Sequence, residues 1–144
     1  MAGQSHFSTV SIIALGVADL AHSRAFYEAL GFTAGPGSNE NIVFFQLAGL
    51  VLSIFPRLAL AEDAEVADDG HGFDGVTLAH NYPSEEAVDA AMAAALAAGA
   101  TLKKTPQKVF WGGYSGYFAD PDGHLWEVAH NPFVQVDDRG IVTL

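Results

Sequence analysis

Glu127 stands in the middle of the run His124-Leu125-Trp126-Glu127-Val128-Ala129, whose other residues past the histidine are all apolar. A carboxylate in such a strand needs a metal, a proton, a hydrogen-bond network or water to meet its charge. Three chemistries are therefore open to it: metal ligand, general base, or acceptor that orients a bound molecule. Just upstream, Phe110-Trp111-Gly112-Gly113-Tyr114-Ser115-Gly116-Tyr117 sets three glycines among four aromatics. Rings with a polar tip suit flat or amphiphilic ligands, and neighbouring glycines suit a lid or entrance. Six histidines complete the set. His6 and His71 fall in tail and loop, His22 at a helix start, and His124 just past a turn. His80 and His130 end strands. Structural and capping roles come first for all of them.

Composition narrows the partners. Seventeen acids against six bases leave a net charge of −11, which argues against nucleic acid and anionic membrane, since phosphate binding needs basic patches. Lys103, Lys104 and Lys108 form the basic cluster, read here as a solvated strand edge. Glu62, Asp63, Glu65, Asp68, Asp69 and Asp74 read as a solvated loop. No cysteine is present, so disulfides, thiolate metal sites and cysteine nucleophiles are excluded. No apolar run reaches the roughly 18 residues of a membrane span. Residues 1–9 lack a signal-peptide pattern, and the expected location is the cytoplasm.

The elements that must position these groups follow from periodicity and caps. Residues 9–17, TVSIIALGV, predict a buried strand; Asp19 caps a helix carrying Phe26, Tyr27 and Leu30, which Gly31 stops. Strands are expected over 42–48 and 50–55, with a shorter one at 32–38. Residues 56–74 form an acidic connector with little periodicity. A strand over 75–80 then precedes a helix over 85–98, capped by Ser84, with Val88, Met92 and Leu96 on its apolar face and Gly99 after it. Strands over 101–110, 114–119 and 124–130 complete the plan, the last two joined by the turn Asp120-Pro121-Asp122-Gly123. The order is β-α-β-β-β twice, with modules at about 8–57 and 74–133 inside one domain of 144 residues.

With these motifs the chain resembles the vicinal oxygen chelate superfamily: glyoxalase I, bleomycin-resistance proteins, fosfomycin-resistance enzymes and extradiol dioxygenases. Asp19-Leu20, Ser23-Arg24-Ala25-Phe26-Tyr27 and Leu30-Gly31-Phe32 carry the likeness in the first half. In the second it rests on Phe118-Ala119-Asp120-Pro121-Asp122-Gly123-His124 with Glu127. The resemblance implies an α+β fold, two βαβββ modules forming curved mixed sheets around a cavity. It also implies that metal-dependent members draw ligands from strand centres, at positions that match Ile12, about Ser53, Gly75 and Glu127 here. One carboxylate among these is a poor donor set, so no metal and no cofactor are expected.

The expected function is a small-molecule-binding protein of this superfamily, a sequestering binder or a cofactor-free enzyme. Its candidate ligand-binding residues are Ile12, Ser53, Phe55, Thr77, Trp111, Tyr114, Tyr117 and Glu127, with Glu127 the catalytic candidate. The acidic balance favours a neutral or cationic small organic ligand over a polyanion. Two alternatives stand beside it: a metal-dependent lyase or isomerase of the glyoxalase I kind, and a non-catalytic dimeric interaction module. The resemblance implies a homodimer under each.

Overall fold

The computed structural model describes residues 6–144. The first module opens with strand β1 (Ile12–Val17) and helix α1 (Leu20–Ala29). Asp19 caps that helix by accepting from the His22 amide at 3.0 Å, satisfying one of the donors a helix start leaves free. Gly31 follows its end at a φ of 100°. Strands β2 (Val43–Gln46) and β3 (Val51–Pro56) complete a sheet of order β1-β3-β2, with β1 parallel to β3. The strand expected over 32–38 shrinks to a single bridge, Ala34 to Phe45. Gly35, Pro36 and Gly37 lie in this segment, and proline cannot donate to a ladder.

The connector differs from its expectation. Residues expected to be irregular contain helix α2 (Arg57–Asp63), because Leu58-Ala59-Leu60-Ala61-Glu62 is a run of strong helix formers. None of its side chains is buried, which is why no amphipathic period marks it. The helix backs onto β1 at Gly16, where a Cβ would lie 3.2 Å from the Arg57 Cα.

In the second module strand β4 (Thr77–Asn81) leads to helix α3 (Glu85–Ala97), whose Ser84 cap accepts from the Ala87 amide at 3.1 Å. Strands β5 (Thr101–Lys108), β6 (Tyr114–Ala119) and β7 (Leu125–His130) give a sheet of order β4-β7-β6-β5. The buried face of α3 is Val88, Met92 and Ala95, with Leu96 38% exposed. At 100° per residue, position 95 returns to within about 20° of Val88 while 96 overshoots by about 80°. A small hairpin, β8 (Gln135–Val136) and β9 (Val142–Thr143), follows.

One apolar core spans both modules. It joins Leu15, Val17, Val43, Phe45, Leu52 and Ile54 of the first sheet to Phe26 and Tyr27 of α1. Val88, Met92 and Ala95 of α3 and Phe118 and Val128 of the second sheet complete it. The strand register therefore fixes the opposite face of each sheet, because successive side chains alternate. Ile12, Ala14, Ser53 and Phe55 share that face in the first sheet. Thr77, Ala79, Leu125, Glu127, Ala129, Ser115 and Tyr117 share it in the second.

Candidate functional site

A cavity of about 870 Å³ is lined by residues of the edge strands β1 and β4. Ile13, Ala14, Leu15 and Gly16 form one wall, and Thr77, Leu78 and Leu125 the other. The connector residues Gly72, Phe73 and Asp74 approach with Val76. Lys103, Lys104, Tyr117 and His124 bring polar side chains to the lining. The size is that of a site for a small organic molecule, and so is the make-up, apolar walls with a few polar groups.

Register explains how the polar groups arrive. Ala79, Glu127, Tyr117 and Lys104 form one row across β4, β7, β6 and β5. Glu127 is half-buried beside Tyr117, its cross-strand neighbour. Burial pushes the Tyr117 hydroxyl above its ordinary range, and the Glu127 charge and hydrogen bonding push it further. The phenol therefore stays protonated beside the Glu127 carboxylate. Tyr117 borders the cavity directly; Glu127 stands behind it in the row.

His124 arrives by a different route. Asp120 accepts at Oδ1 from the Asp122 and His124 amides, at 2.9 and 2.8 Å. At Oδ2 it meets the Tyr27 hydroxyl at 2.6 Å and His124 Nδ1 at 2.7 Å. Burial alone would raise the Asp120 carboxyl, but the hydrogen bonds from His124 and Tyr27 outweigh it and hold it below the ordinary range. For His124 burial lowers the imidazole, yet bonding to Asp120 and its charge win, and the ring titrates above its ordinary value.

Of the residues expected from the sequence to bind a ligand, Thr77 and Tyr117 line the cavity. Ile12, Ser53 and Phe55 share the corresponding face of the first sheet but stand outside the lining. Tyr114 lies on the helix side, packed against the core with its hydroxyl donating to Asp89 Oδ1 at 2.7 Å. Tyr114 and Tyr117 are three residues apart on one strand, so they cannot share a face. Trp111 sits at the β5–β6 turn, at the other end of the sheet from Gly123 and His124. His80 stacks on Tyr82 at 4.4 Å, and His130 Nδ1 lies 2.9 Å from the Tyr82 carbonyl oxygen; neither lines the cavity. Lys103, Lys104 and His124 carried a signal in the sequence, as a basic cluster and a post-turn histidine, but nothing local directed them inward.

The metal positions implied by resemblance do not make a site. Ile12 offers hydrocarbon, Gly75 no side chain, and Ser53 a buried hydroxyl, leaving Glu127 as the sole carboxylate where a divalent ion needs three or four good donors. Among the described residues one group, Asp120, Asp122 and His124, gathers ligating atoms within 4.8 Å. Hydrogen bonds of the fold already engage part of that set: Asp122 Oδ1 accepts from the Ala18 amide at 2.7 Å, and both Asp120 oxygens and His124 Nδ1 are held as above. No helix of the described residues is long and apolar enough to cross a membrane.

The profile of the Glyoxalase/Bleomycin resistance protein/Dioxygenase superfamily matches residues 9–128. Among solved structures, the chain is similar to a glyoxalase-related enzyme from Fulvimarina pelagi. That likeness is 38% identical over 94% of this chain and 97% of that one, with a TM-score of 0.84. It is also similar to a glyoxalase/bleomycin resistance protein from Albidiferax ferrireducens T118, at 32% identity over 87% and 100% of the two chains, with a TM-score of 0.64. A lactoylglutathione lyase from Agrobacterium tumefaciens shares the fold at 24% identity over 86% and 94%, with a TM-score of 0.63. No curated protein matches the sequence.

Proposed function

The chain belongs to the glyoxalase/bleomycin resistance protein/dioxygenase superfamily, and we propose that it binds a small organic molecule in the cavity between β1 and β4. It acts there as a sequestering binder or as an enzyme that works without a metal. The observation that carries this reading is the cavity itself, about 870 Å³ with mostly apolar walls and a tyrosine held at its border. Tyr117 meets the ligand, and Glu127, its cross-strand neighbour, holds it in place, so Glu127 is a positioning residue. The metal-dependent lyase reading lacks a donor set, and likeness to a lyase at 24% identity bears on fold alone.

A homodimer belongs to the same proposal. Both β1 and β4 are sheet edges, and Val10, Ile12 and Val76 beside them are 58%, 52% and 64% exposed. Apolar edge strands are surfaces that proteins normally cover.

A thermal-shift screen of small aromatic and aliphatic compounds tests the cavity. Binders should raise Tm, as any ligand of the native state does. Thr77→Phe, which fills the cavity, should abolish the response. Glu127→Gln should leave stability nearly unchanged, since the amide keeps the shape beside Tyr117, and should change the affinity only modestly, because Glu127 stands behind Tyr117 and off the lining. Binding that survives Thr77→Phe would place the ligand elsewhere. A loss of several kcal/mol in the Gln variant, the size for a broken buried network, would make Glu127 scaffold.

A further inference from the structure

The six cations of this chain are not equivalent. Arg24 pairs with Glu28, Arg57 with Asp68, Lys108 with Glu85 and Arg139 with Asp137. Lys103 and Lys104 have no ion-pair partner among the described residues, although acids outnumber bases seventeen to six. Both of them line the cavity. Two consecutive residues of a regular strand would point to opposite faces. Here Leu102 opposes Phe118 and Lys104 opposes Tyr117, so β5 advances two residues while β6 advances one, and Lys103 is the extra residue of a bulge. Bulges re-aim side chains, and they concentrate beside functional sites.

Resting on the small-molecule reading above, we infer that the ligand is an organic anion: a carboxylate held by Lys103 and Lys104, on an apolar body packed against Leu15, Phe73 and Leu125. Asp74 is the one carboxylate on the lining, so the nearby cations outnumber it. The long-range field of the acidic chain disfavours anions, but salt screens it within about 10 Å, whereas two adjacent ammonium groups act on a ligand at contact. The sequence-based preference for a neutral or cationic ligand rested on that far field.

A matched set tests the charge: 2-naphthoate, 2-naphthamide and 2-naphthylmethylamine, titrated calorimetrically into the full-length protein and into Lys103→Gln/Lys104→Gln. The acid should bind the wild type at least about tenfold more tightly than the amide, as expected for one charge-assisted contact. The amine should bind weakest, and the double variant should level acid and amide. The two lysines are exposed, and an unchanged Tm for the variant shows that the fold is intact. Equal binding of acid and amide, or tighter binding of the amine, would overturn the anion assignment and leave the cavity reading standing. An acid preference that persists in the double variant overturns it as well. If none of the three binds and the screen above also finds no ligand, the small-molecule reading fails and the anion assignment with it.

Discussion

Asp120 is the residue on which the two modules depend. Its carboxylate gathers its own turn, His124 and, across 93 positions of chain, the Tyr27 hydroxyl, which in turn accepts from Trp126 Nε1 at 3.1 Å. Tyr27 is fully buried among Phe26, Phe32, Phe45 and Trp126. Tyr27→Phe keeps that ring and removes the hydroxyl, leaving Asp120 Oδ2 short of a donor and the indole short of an acceptor. Urea unfolding should show a loss of about 1–3 kcal/mol; a change under half of one would mean the bond contributes little. The His124–Asp120 pair also sets a pH dependence. The His124 pKa is raised in the fold, so its contribution is complete below the ordinary value of 6.5 and is lost as pH rises through the folded pKa. Asp120 is lowered, so its contribution is complete above 3.8 and is lost as pH falls through the folded pKa. The difference in Tm between wild type and His124→Gln should therefore be greatest between these values and shrink toward alkaline pH. A difference that stays flat to pH 9 would remove the ion pair from the account.

At the scale of elements, strand β5 is the irregular member, and β6 accommodates its irregularity. A second register shift separates Lys104 from Gln107 around Pro106. Gly116 faces this kink: a Cβ there would lie 2.6 Å from the Lys104 carbonyl oxygen and 2.7 Å from the Pro106 nitrogen. Because both contacts are backbone, they cannot be relieved by a rotamer change. Gly116→Ala should cost about 1–3 kcal/mol, as overpacking does, and should weaken anion binding by displacing Lys104. A variant with wild-type stability would show that β5 yields more readily than its two bulges suggest. The helices, by contrast, follow local rules. Their caps at Asp19 and Ser84 and their stops at Gly31 and Gly99 stand where those residue types belong.

For the whole molecule the open question is what covers the edges at β1 and β4. If a second copy does so, light scattering should give twice the 15.2 kDa chain mass. Ile12→Asp with Val76→Asp should then yield a folded monomer, because two carboxylates in an apolar contact are costly to desolvate. A wild type that scatters as a monomer at high micromolar concentration would end the homodimer proposal. The charge distribution belongs to this scale as well: four paired cations stand elsewhere, and two unpaired ones stand on the cavity wall.

Sequence alone determined the repeated element order, the helix ends and the Asp-Pro-Asp-Gly turn, because caps, glycine stops and period-two patterns act over a few residues. It also placed Glu127 on the face away from the core, since strand parity follows from counting. What counting could not supply was decided by contacts between distant segments. The bulge that sets Lys103 beside Lys104 on the cavity lining appears only in how β5 pairs with β6. The commitment of Asp120 to Tyr27 depends on how the modules meet. The displacement of the cavity toward the β1–β4 edges, away from Trp111 and Tyr114, depends on both. Tyr114 and Tyr117 look alike in the chain, and only the helix packed on one side of their strand separates a structural hydroxyl from one that faces the cavity. Local rules assign a residue to an element; which surface that element buries is set by its neighbours in space, and the site follows from that.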